Sequence, residues 1–66
     1  MSYLNLKAEM AKRNITIESV AETLKIHRNS VSNKIHGKSA FSIEEATAIQ
    51  KYYFPDKTLK YLFERS

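Results

Sequence analysis

The stretch from Ile17 to Ile35, IESVAETLKIHRNSVSNKI, constrains this chain more than any other. Ile17, Val20, Ala21 and Leu24 recur at i, i+3, i+4 and i+7, so a helix over them carries one continuous apolar stripe. Lys25, Ile26 and His27 leave room only for a tight turn, after which Val31 and Ile35 stand one helical turn apart. Two short helices joined by that turn and facing one core satisfy this spacing. On the second of them Asn29, Asn33 and His36 fall about 140–200° away from Val31, with Arg28 and Ser32 on the flanks. The second helix therefore buries two aliphatic side chains and turns amides and an imidazole outward.

The remaining apolar residues fit helices on either side of this pair. Tyr3, Leu6 and Met10 predict a first helix over Tyr3 to Arg13, with Lys12 and Arg13 placed to suit the negative end of the helix dipole. Asn14 can leave that helix, Ile15 drops into the core, and Thr16 is a good N-cap for the next helix, with Glu18 in its first turn. Lys25 has to end that helix in a left-handed conformation, which glycine would take freely and which strains a lysine by roughly 1 kcal/mol. Gly37, the one glycine of the chain, is expected to end the following helix in the same conformation. Phe41 re-enters the core, and Ser42 with Glu45 forms the S-x-x-E capping box of a fourth helix over Ile43 to Tyr53, whose stripe is Ile43, Ala46, Ile49 and Tyr53. Phe54 and Pro55 stop it. Asp56 or Thr58 caps a last short helix, where Leu59, Leu62 and Phe63 close the core. The expected fold is all-α, a compact five-helix bundle in a single domain over 1–66.

Size and charge narrow the function. A chain of 66 residues has no surface left for a second core. It contains no cysteine, so neither disulfide nor thiolate metal site supplements the hydrophobic cluster. No signal-like apolar run opens it and no membrane-length one follows, so a soluble cytoplasmic protein with no membrane contact is expected. The net charge is +4. Lys25, Arg28, Lys34 and Lys38 lie in a window, 25–38, without Asp or Glu, while the other seven basic and seven acidic residues cancel. Along the sequence the whole net charge thus maps to the second helix of the pair and its ends, the footprint expected for a phosphate-bearing partner.

The block TIESVAETLKIHRNSVSNKIHG from Thr16 to Gly37, followed by KSAFSIEEA and a final YLFE, resembles the phage repressor and Cro-type helix-turn-helix family, the lambda repressor-like DNA-binding domains. The likeness spans nearly the whole chain. It implies a bundle of about five helices whose third helix lies in the major groove of duplex DNA, with most members binding operators as homodimers to regulate transcription. Carried over position by position, it makes Arg28, Asn29 and Asn33 candidates for base contacts. His27 and Ser30 resemble positions at the backbone or groove edge, and Lys34 and Lys38 would lie near phosphate. The chemistry of the side chains agrees, since guanidinium pairs with guanine and amides with adenine, whereas ammonium groups supply salt-dependent attraction. Protein interaction through the same fold, as in an anti-repressor or assembly factor, is the alternative function.

Three departures from the family pattern stand out, the last of them a pair of positions. Ile17 stands where members commonly have a glutamine that touches phosphate, and Lys25 where they often have glycine. Met10 and Ile35 occupy positions where an arginine and a glutamate often pair, so two apolar residues in mutual contact are expected instead, an exchange that is often neutral or stabilising. No case for an enzyme or a cofactor arises. His27 and His36 are nine residues apart with no third ligand in reach, which argues against a metal site, and Glu44 and Glu45 suit a helix first turn. Neither a serine-histidine-acid set nor a glycine-rich phosphate loop is present. The aromatics Tyr52, Tyr53, Phe54, Tyr61 and Phe63 are interleaved with cations and invite comparison with a single-strand stacking surface. Core positions, with one or two rings at a protomer contact, are the expected reading.

Overall fold

A computed structural model describes residues 2–65. The helices are α1 (Leu4–Lys12), α2 (Ile17–Leu24), α3 (Arg28–Ile35), α4 (Ile43–Tyr53) and α5 (Leu59–Leu62). Tyr3, Leu6, Met10, Val20, Ala21, Val31, Ile35, Ile49, Phe54 and Leu62 form one buried cluster, so every helix contributes to the same core.

Side chains cap the starts of four helices, α2 to α5, but not of α1. Thr16 accepts from the Ser19 amide at 3.0 Å and Thr58 from the Tyr61 amide at 3.1 Å, so of the two expected caps for α5 it is Thr58 that serves. At α4 the capping box is complete: the Glu45 amide donates to Ser42 Oγ at 3.0 Å and the Ser42 amide to Glu45 Oε1 at 2.9 Å.

The ends of α1, α2 and α3 share one device. Asn14, Lys25 and Gly37 each take a positive φ, at 56°, 59° and 84°. After each, two amides turn back to close the helix: Asn14 and Ile15 donate to Ala11 and Met10, Lys25 and Ile26 to Glu22 and Ala21, Gly37 and Lys38 to Lys34 and Asn33. This is the Schellman closure, and it satisfies carbonyls that the helix leaves unpaired. Only the third occurrence uses glycine. At the first two an isoleucine follows the left-handed residue and packs on the core, which holds the chain in a conformation its own backbone disfavours.

Several contacts lock the outer helices. Arg13 donates to the Tyr53 carbonyl at 2.8 Å and to Asp56 at 2.6 Å, and its guanidinium lies 4.9 Å from the centre of the Phe54 ring. Glu9 is buried; it accepts from the Tyr61 hydroxyl at 2.9 Å and faces Lys12 at 3.6 Å and Lys57 at 4.0 Å, tying α1 to α5. Tyr3, Phe41 and Phe63 make a triangle of rings with centroids 5.3–5.7 Å apart, joining the start of the chain, the loop after α3 and the end of α5. Met10 and Ile35 belong to the same core and wall the same surface groove.

Two apolar residues depart from expectation. Leu59, the first residue of α5, is 40% exposed, so Leu62 and Phe63 close the core without it, and Ile43 is 83% exposed, not part of the core. It is the first residue of α4, and helical periodicity carries a core face only as far as a neighbouring element overhangs it. Ile49 and Phe54, deeper along the same segment, are the buried residues.

Candidate nucleic-acid interface

The connector from Lys25 to His27 sets α3 against α2 and leaves one side of α3 open. Val31 and Ile35 are buried at 0% and 3% exposure, while Arg28, Asn29, Asn33 and His36 are exposed. The helix is thus anchored by its two aliphatic residues and shows its polar residues to solvent. Ser30 and Ser32 are half-buried on its flanks.

His27 caps α3. Its Nδ1 accepts from the Asn29 amide at 3.1 Å. That bond requires an unprotonated Nδ1, so a neutral ring carries its hydrogen on Nε2, where it remains a donor. Arg28 follows at the first helical position, and its Nη1 donates to Glu18 Oε2 of α2 at 2.9 Å. Ile17, Glu18, Arg28, Asn29 and Ser32 together wall a concavity of about 270 Å³ between the starts of α2 and α3.

At the other end of α3, Lys34 is held inward. Its ammonium donates to the Ala40 carbonyl at 3.1 Å and lies 3.3 Å from Glu45, over the Phe41 ring. Glu45 feels opposing influences. Burial pushes its carboxyl up, but the Ser42 amide and the Lys34 ammonium outweigh it and hold the group below its ordinary value. Lys38, just past the Gly37 turn, is exposed, as is Lys25.

These contacts revise the charge map read along the sequence. Glu18 and Glu45 lie outside the window 25–38, yet they come to Arg28 and Lys34 in space. Among the described residues, two of the window's four cations therefore have carboxylate partners, and Lys25 and Lys38 have none. Sequence reasoning placed Glu18 only as a favourable charge at a helix start. The signal it lacked was the crossing of α2 and α3, which sets the second residue of one helix beside the first residue of the next.

A sequence profile for the Cro/C1-type HTH DNA-binding domain matches residues 5–53, which takes in α1 to α4 and both helices of the turn. The chain belongs to the Cro/C1-type helix-turn-helix family. Its DNA-binding domains place this chain among proteins whose general business is DNA-binding regulation. No curated protein and no solved structure matches it. Within the family frame, α2 and α3 are the two helices of the helix-turn-helix.

The aromatic residues divide by position. Phe54 is fully buried, Tyr53 and Phe63 are half-buried, and Tyr61 and Tyr52 are 37% and 71% exposed. Tyr53 is a brace: its hydroxyl lies 2.7 Å from those of Ser19 and Thr23 and donates to the Ser19 carbonyl at 3.0 Å, fixing α4 on α2. Among the described residues no helix is long and apolar enough to cross a membrane, and no three His, Asp or Glu side chains gather as metal ligands do.

Proposed function

We propose that this protein is a sequence-specific regulator of transcription of the phage-repressor type, which binds duplex DNA with α3 in the major groove. The observation that carries the reading is the division of α3 into a buried anchor, Val31 and Ile35, and an exposed row of base-reading side chains. Arg28 supplies the guanidinium that pairs with guanine N7 and O6, and Asn29 and Asn33 supply amides suited to adenine. His27 donates from Nε2 and Ser30 from its hydroxyl to backbone phosphate or the groove edge, and Lys38 contacts phosphate directly. Lys34 adds positive potential while it holds the loop to α4.

The described residues span 26 × 23 × 22 Å. One copy is thus smaller than the roughly 34 Å of a helical turn and addresses a single half-site. A homodimer on the DNA brings two α3 helices to successive major grooves, and repression follows most simply from occupying a promoter in the cytoplasm of a bacterium or phage-infected cell. One observation favours the alternative, a protein-interaction role: Ile17 cannot make the phosphate contact of the usual glutamine.

Alanine substitution separates the two. Arg28→Ala and Asn33→Ala should each cost about 1–3 kcal/mol on a preferred duplex and relax its sequence preference, as loss of a bidentate base contact does. Lys38→Ala should weaken preferred and scrambled duplexes alike and lower the salt slope by about 0.9. Equal losses on both duplexes for all three variants would refute the assignment of base-reading residues.

A further inference from the structure

Glu18 is the one carboxylate in the concavity between the starts of α2 and α3. A carboxylate in a helix first turn already has a structural use, because it complements the dipole. Reaching Arg28 across ten residues of chain is not needed for that, and yet the two side chains meet at 2.9 Å, each 64% exposed. The pair therefore stands in solvent, on the face that the helix-turn-helix presents to DNA.

Its effect on Arg28 differs between the two kinds of site DNA offers. An unpaired guanidinium gains from any phosphate. One beside a carboxylate gains little, because its charge is already offset and the carboxylate itself repels the backbone. A guanine edge asks for something else, two parallel N–H donors aimed at N7 and O6. Arginine has five N–H donors, and among the described residues only Nη1 is engaged, by Glu18. Nη2 and Nε stay available along the other edge of the group, held at a defined angle by the ion pair. The arrangement withholds charge from arbitrary backbone contact and leaves base pairing open.

We infer that Glu18 is a specificity-determining residue of the interface, which positions Arg28 for guanine and lowers the affinity of the protein for DNA of arbitrary sequence. This rests on the DNA-reading function proposed above. Ile17 fits the same picture, since it lines the concavity without offering a donor that would draw a phosphate into it.

Glu18→Gln tests the inference, because it keeps the length of the side chain and removes its charge. Binding is measured by fluorescence anisotropy over a range of salt concentrations, on a preferred duplex, on a scrambled one, and on the preferred duplex carrying 7-deazaguanine at each guanine in turn. Glu18→Gln should strengthen binding to the scrambled duplex by about two- to fivefold, the range an exposed ion pair covers. The salt slope on that duplex should steepen by about 0.9, one further counterion released. The preferred duplex should gain less, so the ratio between the two falls. One 7-deazaguanine position should weaken the wild-type protein and leave Arg28→Ala unaffected. In an Arg28→Ala background Glu18→Gln should no longer change the ratio. Glu18→Asp retains the charge at the helix start but not the reach to Arg28, and it should lower the ratio with the thermal midpoint unchanged.

An equal change on both duplexes, or the same change in ratio with Arg28 absent, would overturn the inference while leaving the DNA-reading function intact. A wild-type protein that holds no duplex in preference to a scrambled one would overturn both.

Discussion

Replacing Lys25 by glycine relieves the backbone strain at the end of α2. Lys25 sits at φ 59° and ψ 42°, the left-handed region, where its Cβ crowds the following carbonyl. That conformation costs an ordinary L-residue about 1–2 kcal/mol, and glycine nothing. Glycine also gives the unfolded chain more freedom, which returns about 0.4–1 kcal/mol of the gain. The net stabilisation expected is about 0.5–1 kcal/mol. With 66 residues, each contributing about 2.1 cal/mol/K to the unfolding entropy, the chain unfolds with about 0.14 kcal/mol/K, so Tm should rise by about 4–7 °C. Thermal unfolding followed by circular dichroism measures it. Lys25→Ala is the control: it removes the same charge, keeps a Cβ, and should not raise Tm. A glycine variant no more stable than wild type, or an alanine variant that gains as much, would refute the argument from the dihedral angle.

Tyr53→Phe removes the hydroxyl shared by Ser19 and Thr23, and should cost about 1–2 kcal/mol, read as a lower urea midpoint at unchanged m. Ile35→Glu puts a lone carboxylate at a position 3% exposed and should destabilise by several kcal/mol, about 3–5, while Met10→Arg added to it should recover part of the loss by supplying the partner. The Tyr61 hydroxyl holds the Glu9 carboxyl below its ordinary value, helped by Lys12 and Lys57 and opposed by burial. Arg13 does the same for Asp56. Both carboxylates have lower pKa values folded than unfolded, so the unfolded state takes up protons first as pH falls. Their stabilisation is complete above the unfolded values of 4.5 and 3.8 and is lost progressively below them. Glu9→Gln should flatten the acid limb of a stability–pH curve, and a limb of unchanged steepness would contradict the assignment.

What could be read from the sequence was local. Thr16, the Ser42 and Glu45 capping box and the Gly37 turn each depend on residues within a turn of one another, and each appears as expected. The strained Lys25 was legible for the same reason, since Leu24 and Val31 fix where the helix has to stop. What escaped depends on which helices cross. Ile43 continues a periodic stripe that no neighbour covers. Glu9 reads as a carboxylate facing water and is instead buried, where the hydroxyl of Tyr61, 52 residues away, meets it. In the candidate interface, the row Arg28, Asn29 and Asn33 followed from helical periodicity alone, whereas the ion pairs Arg28–Glu18 and Lys34–Glu45 join different elements. Counting charge along the chain therefore overstated how much of it stands free on α3.

Whether α3 reads DNA sequence is decided by selection from a pool of random duplexes at near-physiological salt. Enrichment of an inverted repeat with half-sites one helical turn apart, each containing a guanine whose preference is lost in Arg28→Ala, is the predicted result. Sequences recovered in the proportions of the input pool would contradict it.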